Sequence, residues 1–95
     1  MKYEIILTST FKSSLKLIKK RKKDLSKLTY IVNTIASGKQ LEGKYRDHEL
    51  INSKHFKNCR ECHIEPDWLL VYKINKKQFI LFLMETGTHS DLFNQ

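Results

Sequence analysis

Three strand-like segments follow one another closely in the C-terminal half, and they restrict the possible folds more than any other feature of the sequence. They span residues 59–64, 68–74 and 79–84. The segments between them, residues 65–67 (Glu-Pro-Asp) and 75–77 (Asn-Lys-Lys), have the composition of tight turns. Strands joined by tight turns pair antiparallel, so the sequence predicts an antiparallel meander. The last of the three is apolar without alternation, which is typical of a strand covered on both faces, and we expect it to lie centrally in the sheet.

The N-terminal half begins with a short strand that leads into a helix. Residues 2–7 alternate between polar and apolar side chains, as a half-buried strand does. Residues 8–10 (Thr-Ser-Thr) can cap a helix that follows. In that helix Phe11, Leu15 and Ile18 fall on one stripe, while lysines occupy mainly the other side. The sequence therefore predicts a helix with an apolar face and a basic face.

A second helix is predicted directly after the first. Asp24 can cap its N-terminus, and Gly38 is a natural stop. Between them apolar residues recur at helical spacing: Leu25, Leu28, Val32 and Ile35. We expect the two helices to form a hairpin. Residues 39–57 carry no sustained period and are predicted to connect this hairpin to the sheet, with a short extended piece at residues 47–51.

These elements together predict a single domain over residues 1–95, of the α/β (α+β) class. A chain of 95 residues lies at the lower end of the usual domain size. With 40% hydrophobic and 29% charged residues, three Gly and one Pro, its composition is typical of a globular protein and not of a disordered or fibrous one.

The formal net charge of +8 is concentrated in the first half of the chain. Residues 1–45 carry eleven Lys or Arg against three Asp or Glu, whereas the remainder carries seven of each sign. A basic surface of this kind can attract the phosphate backbone of a nucleic acid, acidic lipid or an acidic protein partner. It can equally be a solvated helix face without a partner.

The N-terminus and the cysteines indicate a cytoplasmic protein. Apolar residues near the start run only from Tyr3 to Leu7, too few for the core of a signal peptide or for a membrane span. Cys59 and Cys62 are the only cysteines, and in a chain without a secretory signal free thiols in a reducing compartment are expected. We therefore expect no membrane association.

Residues 59–63 (Cys-Arg-Glu-Cys-His) formally match the haem-attachment pattern, but we do not assign them to a cofactor. Haem attachment of this type accompanies export, for which no signal is present. Residues three apart in a strand also point to opposite faces, so the two thiols would not converge on one group. A structural zinc site needs a second pair of ligands, which the sequence lacks at a recognisable spacing. We expect no metal and no cofactor.

A different set of polar residues suits proton transfer. It consists of His48, His63, Asp67 and His89, with Arg60, Trp68 and Phe93 nearby in the sequence. Histidine exchanges protons near neutral pH without a metal, so converging histidines suit general acid and base catalysis on a phosphodiester. Each of these histidines taken singly would more often be an ordinary surface or half-buried residue.

Three segments of the chain resemble, in order and spacing, the signature of YafQ-like toxins of the RelE/ParE superfamily. They are residues 47–50 (Asp-His-Glu-Leu), 60–74 (Arg-Glu-Cys-His-Ile-Glu-Pro-Asp-Trp-Leu-Leu-Val-Tyr-Lys-Ile) and 86–93 (Thr-Gly-Thr-His-Ser-Asp-Leu-Phe). The length and the order of predicted elements also agree, so the resemblance covers nearly the whole chain. It implies a RelE-like microbial RNase fold.

The resemblance implies a ribosome-dependent endoribonuclease that cuts messenger RNA and forms one half of a type II toxin and antitoxin pair. Its partners would be mRNA on the ribosome, with ribosomal RNA, and a cognate acidic antitoxin. Carried over by position, the catalytic candidates are His48, His63, Asp67 and His89, with the order of base and acid roles left open. Phe93 would hold or stack on a base, and Trp68 would contact substrate or support the site.

One position departs from the pattern, because Glu85 stands where relatives usually carry an arginine before the Thr-Gly-x-His run. A guanidinium there would stabilise charge on the phosphorane, whereas a carboxylate would repel it. Arg60 or a lysine from the basic half would then supply the missing charge, or Glu85 would act as a base, or the nuclease would be attenuated. A non-catalytic toxin that binds gyrase or the ribosome is the alternative from another class.

Overall fold

The computed structural model describes residues 2–51 and 53–93. In chain order its elements are β1 (Glu4–Leu7), α1 (Ser9–Lys20), α2 (Leu25–Ala36), β2 (His48–Glu49), β3 (Arg60–Glu65), β4 (Trp68–Asn75), β5 (Ile80–Gly87) and α3 (His89–Phe93), with a 3₁₀ turn at Gly43–Tyr45 before β2. The predicted order of one strand, two helices and then a sheet is confirmed. The expected domain of residues 1–95 and the connecting segment 39–57 include Met1, Asn52, Asn94 and Gln95, which lie outside the described residues.

The five strands form one mixed sheet in the order β1-β5-β4-β3-β2. β3, β4 and β5 are antiparallel neighbours, so the predicted meander is confirmed. β1 adds a parallel pair at the edge, with Glu4 opposite Ile80 and Leu7 opposite Leu83. The sheet is therefore mixed, because the chain passes through both helices before its last strand returns beside the first.

The central strand of the sheet is β4. The expectation that residues 79–84 lie centrally was wrong in this respect, because residues 80–84 belong to the neighbouring strand β5. Residues 68–72 of β4 are all buried, with Leu70 facing one core cluster and Leu69 the other. In β5, by contrast, buried residues alternate with half-buried ones such as Phe82. The reason is that α1 and α2 contribute side chains only to the first of the two core clusters, which leaves the other face of β5 thinly covered.

Side-chain caps start both long helices as the sequence predicts. Thr8 Oγ1 accepts a hydrogen bond from Phe11 N at 3.0 Å, and it lies 2.9 Å from Leu83 O, to which it donates. Asp24 Oδ1 accepts from Ser26 N at 3.0 Å. The first cap therefore ties the start of α1 to β5, while the second is local to its own helix.

The predicted apolar stripes are the buried faces of the helices. Phe11 and Ile18 of α1 are each 1% exposed and Leu15 packs against the same core cluster, which α2 also joins. α2 ends at Ala36, and Gly38 follows with a φ of 80°, a conformation that favours glycine. None of the described helices is both long enough and apolar enough to cross a membrane.

A bulge in β5 decides which way its last residues point. Val71 of β4 pairs with Glu85, but the next residue Tyr72 pairs with Leu83, so Met84 is an extra residue on β5. Simple alternation would place Glu85 on the same face as Leu83. The bulge moves it to the other face, beside Val71 and the second core cluster.

Candidate active site

The site lies on the face of the sheet that carries the second core cluster. In one row across the strands His48 pairs with Glu61, and Glu61 pairs with Val71. Two residues along β3, His63 pairs with Leu69. Because residues two apart on a strand share a face, Glu61 and His63 point to the same side, and His48 joins them from β2.

The three predicted histidines converge. The ring centroids of His48 and His63 are 6.3 Å apart, and those of His63 and His89 are 5.7 Å apart. One ligand atom each from Glu61, His63 and His89 lie within 4.8 Å of one another. We call His48, Glu61, His63, Asp67 and His89 the histidine cluster.

His89 is held by Asp67 through two contacts. Its backbone N donates to Asp67 Oδ1 at 2.9 Å, and its Nδ1 lies 2.7 Å from the same oxygen. Both hydrogen bonds lower the pKa of Asp67, and the one from the backbone N–H has the larger effect. With Nδ1–H donating to a carboxylate, the Nε2 atom of His89 is the nitrogen left to exchange a proton with a substrate.

The start of α3, and with it His89, is fixed by a reciprocal cap and an ion pair. Thr88 N donates to Asp91 Oδ2 at 2.9 Å, and Asp91 N donates to Thr88 Oγ1 at 3.1 Å. Arg21, just after α1, contacts both carboxylate oxygens of Asp91 at 2.6 and 3.1 Å. This guanidinium is the main reason that the pKa of Asp91 is held far below its usual value. The basic N-terminal half thus supports the site through a defined contact.

His48 is oriented by the backbone. Its Nδ1 lies 2.7 Å from the carbonyl oxygen of Arg46, to which a protonated Nδ1 donates. Its Nε2 lies 3.9 Å from Glu61 Oε1. The proton-exchanging nitrogen of His48 therefore faces the cluster.

Glu61 is the member of the cluster that the sequence analysis missed. It is 5% exposed, and its Oε1 lies 3.9 Å from Nε2 of both His48 and His63. A buried carboxylate that faces two imidazole nitrogens is a candidate member of a proton-transfer site. The signal was available, because a residue two before His63 on a strand must share its face.

His63 lies deepest among the histidines. Burial is the largest cause of its lowered pKa, and the positive charges of His89, Arg46 and His48 act in the same direction. Glu61 acts in the opposite direction. Nδ1 of His63 is buried without a hydrogen-bond partner among residues 2–51 and 53–93. The lowered pKa therefore favours the neutral form of the ring.

Arg60 is not in the cluster, contrary to the sequence-based expectation. Its guanidinium bonds to Asp47 at 3.2 and 3.3 Å, and the Tyr72 hydroxyl donates to the same carboxylate. Arg60 pairs with Tyr72 across the strands, on the face opposite Glu61. The reason is again alternation, since adjacent strand residues point to opposite sides. Arg60 cannot supply the charge that Glu85 lacks.

Trp68 is also placed away from the site. Its side chain is 1% exposed in the first core cluster, and its Nε1 donates to Thr86 Oγ1 at 3.0 Å. The indole therefore does not face the histidine cluster, and its predicted contact with substrate stays a prediction. The structure assigns the indole to the packing between the helices and the sheet.

Glu85 and Phe93 border the site without joining the cluster. Burial is the largest cause of the raised pKa of Glu85, and the neighbouring charges that act on it are those of Asp91 and His55. Phe93 is half-buried and packs edge-on against Phe56, with ring centroids 6.0 Å apart. Glu85 is thus separated from Glu61 by β4. The ring of Phe93 remains partly accessible to solvent.

The cysteines lie on opposite sides of the sheet, as the sequence predicts. Cys59 belongs to the second core cluster and Cys62 to the first. Among residues 2–51 and 53–93, Glu61, His63 and His89 form a group that could hold a metal, because imidazole and carboxylate suit transition metals such as copper and zinc. The expectation that the protein needs no metal stays a prediction.

The comparisons with known proteins agree on one family. The family described as "Bacterial toxin of type II toxin-antitoxin system, YafQ" matches residues 3–94. The mRNA interferase toxin YafQ of Escherichia coli strain B / BL21-DE3 is 38% identical over 91 residues, which are 95% of either chain.

Solved structures show the same fold. A chain in the crystal structure of the E. coli DinJ-YafQ complex has a TM-score of 0.83 at 38% identity, covering 96% of this chain and 98% of that one. The crystal structure of a metal-bound toxin from Helicobacter pylori has a TM-score of 0.87 at 41% identity, covering 96% of this chain and 99% of that one. The resemblance found in three sequence segments is confirmed, and the chain belongs to the YafQ family of bacterial type II toxins.

Proposed function

We propose that this protein is a ribosome-dependent endoribonuclease that cuts mRNA in the cytoplasm without a metal. The observation that carries the proposal is the convergence of His89, held by Asp67, with Glu61 and the half-buried His63. The name mRNA interferase, which the curated YafQ relatives carry, supports it.

The environments of the cluster members suggest separate proton-transfer roles. His63 and Glu61 together act as the proton acceptors, since His63 is a neutral imidazole and Glu61 is a buried carboxylate. They withdraw the proton of an RNA 2′-hydroxyl while that oxygen bonds to the adjacent phosphorus. His89, steadied by Asp67, delivers a proton to the departing 5′-oxygen as the phosphorus–oxygen bond breaks. His48 shares the acceptor role or exchanges protons with Glu61.

The partners of the reaction follow from charge and from the relatives. The basic N-terminal half would bind ribosomal RNA, because lysines and arginines release counterions from phosphate backbones. A cognate acidic antitoxin would cover this basic surface or the cluster. The E. coli YafQ structures that are complexes with DinJ support such an antitoxin partner.

The products of cleavage test the proposal directly. Purified protein added to translating ribosomes is expected to cut the message in a Mg²⁺ buffer from which transition metals are removed with 1,10-phenanthroline, and to leave 2′,3′-cyclic phosphate and 5′-hydroxyl ends. Primer extension locates the cuts, and mass spectrometry of the fragments identifies the ends. A DNA oligonucleotide of the same sequence serves as control, because it lacks the attacking hydroxyl. Loss of cutting when only transition metals are removed would contradict the metal-free step, whereas an uncut message with inhibited gyrase would favour the binding-only toxin.

Glu85 motivates a second candidate, an attenuated nuclease. Replacing Glu85 with arginine is expected to increase cleavage by about tenfold, because the long side chain can reach over Val71 toward the cluster and add positive charge to the transition state. Glu85→Gln is the matched control, since it removes the carboxylate without adding a cation. Single-turnover cleavage rates on ribosome-bound mRNA separate the two variants. Equal rates for wild type and Glu85→Arg would mean that the carboxylate does not weaken the enzyme.

A further inference from the structure

A groove leads away from the histidine cluster and is not used by the chemistry described above. It has a volume of about 640 Å³ and runs between α2, the 3₁₀ turn and the turn after β3. His63 lies at one end, and Tyr45 and Arg46 are among the residues that line it. This volume falls in the range of small-ligand sites, roughly 300 to 1,000 Å³. The groove is therefore large enough for a nucleotide beside the scissile bond.

Arg46 is the arginine that remains available for a phosphate. Arg21 is paired with Asp91 and Arg60 with Asp47. Arg46 is exposed, and within the described part of the chain its guanidinium is not held by a carboxylate. It lies close enough to the cluster for its charge to help lower the pKa of His63.

The backbone around Arg46 fixes it between the groove and the cluster. Its φ of 49° and ψ of 43° lie in the left-handed region, which is uncommon for a residue other than glycine. Its carbonyl oxygen receives the hydrogen bond of His48, and its N–H donates to Gly43 O at 3.1 Å. These two hydrogen bonds hold Arg46 in a backbone conformation that is uncommon for arginine.

Aromatic rings and further cations line the same groove. The rings of Tyr30 and Tyr45 are 6.3 Å apart, and Nζ of Lys44 lies 5.2 Å from the centroid of Tyr45. A cation beside an exposed aromatic surface suits a nucleobase and its phosphate, because every base has a face that can stack.

Two carboxylates also border the groove, but both are engaged. Glu65 contacts Lys23 and Lys27 at 2.9 Å each, and Glu42 accepts from the Tyr30 hydroxyl at 3.0 Å. The single negative charge of Glu65 is therefore paired with two lysines. We favour an anionic RNA strand over an acidic protein segment, because the groove combines aromatic rings with cations and is lined by His63 of the histidine cluster.

We propose that this groove is the subsite for the nucleotide next to the scissile phosphate, with Arg46 contacting a phosphate and Tyr45 stacking on the base. The proposal rests on the ribonuclease function and names the substrate contacts of that site. Arg46 would supply, from the opposite side of the cluster, the positive charge that Glu85 does not.

The test measures binding without cleavage. Isotope-labelled protein is titrated with a short single-stranded RNA in which every 2′-hydroxyl is methylated, so that attack is blocked. Amide shifts are expected at Tyr45, Arg46 and His63. Arg46→Gln should weaken binding by about fivefold or more. It should also make the slope of log affinity against log salt concentration shallower by about 1. Tyr45→Ala should weaken it by about tenfold, with Tyr45→Phe close to wild type.

The control is Lys77→Gln, which removes one positive charge at the turn between β4 and β5, the far end of β4 from the cluster. It should leave binding unchanged. The subsite is wrong if Arg46→Gln weakens binding no more than this control, or if shifts appear at the cluster but not in the groove. It is also wrong if an acidic peptide of equal charge binds the groove more tightly than the RNA. These outcomes leave the ribonuclease function intact, because the product analysis tests that function separately.

Discussion

Replacing His89 with alanine is expected to lower RNA cleavage by about 10²- to 10⁴-fold, the usual contribution of a positioned acid or base. The variant loses the imidazole that Asp67 orients at 2.7 Å, and with it the proton for the departing oxygen. Stability should change by less than about 1 kcal/mol, because the side chain is 40% exposed. The loss of activity should therefore appear in a fully folded protein.

Single-turnover cleavage on ribosome-bound mRNA, with urea unfolding of the same samples, measures both quantities. His55→Ala is the matched control, since it removes an exposed histidine outside the histidine cluster and should keep wild-type activity. The cleavage rate of Asp67→Asn should lie between those of His89→Ala and His55→Ala, because the amide oxygen can still accept a hydrogen bond from His89 but carries no charge. If His89→Ala leaves both cleavage and growth inhibition intact, the nuclease assignment is wrong.

Replacing Trp68 with alanine is expected to reduce the free energy of unfolding by about 3 to 5 kcal/mol, as for other buried large-to-small changes. The indole is 1% exposed, and its removal leaves a cavity between the helices and the sheet. It also removes the donor to Thr86 Oγ1, whose own hydroxyl donates to Leu69 O at 2.7 Å. A loss of this size is a large share of the roughly 5 to 15 kcal/mol that stabilises a typical domain.

Chemical denaturation gives the stability change, and cleavage normalised to the folded fraction shows whether the indole has any further role. Trp68→Phe is the informative companion, because it keeps an aromatic ring in the core and loses mainly one hydrogen bond, worth about 1 to 3 kcal/mol with its unpaired partner. Its normalised cleavage should equal that of wild type. A stable Trp68→Phe protein that no longer cuts RNA would instead place the indole in contact with substrate.

Local sequence patterns were sufficient for β1, the two long helices and the meander, but the sequence analysis did not predict α3 or the 3₁₀ turn. Thr8 and Asp24 mark the two helix starts, because short polar side chains satisfy the first free N–H groups. The apolar stripe from Phe11 to Ile18 is the buried face of α1, since its spacing matches the helical period. The turns at residues 65–67 and 75–77 produce the meander, because they allow only short antiparallel connections.

Motif spacing in the sequence also identified most of the histidine cluster. His48, His63, Asp67 and His89 meet at one end of the sheet, although up to 41 positions separate them in sequence. Spacing along the chain carries no distances, so this convergence was an expectation from the family resemblance. The hydrogen bonds that orient each ring belong to the folded chain.

The sequence by itself determined the long helices, the meander, the basic half and the candidate residues, because these depend on side-chain chemistry and local periodicity. Only the tertiary structure decided which candidates share a face. Alternation along β3 brought Glu61 into the histidine cluster and sent Arg60 to the opposite side, and the extra residue in β5 turned Glu85 toward Val71. Burial in the first core cluster removed Trp68 from the site. Strand register, bulges and packing between distant segments depend on contacts across the whole chain, and a local pattern cannot specify them.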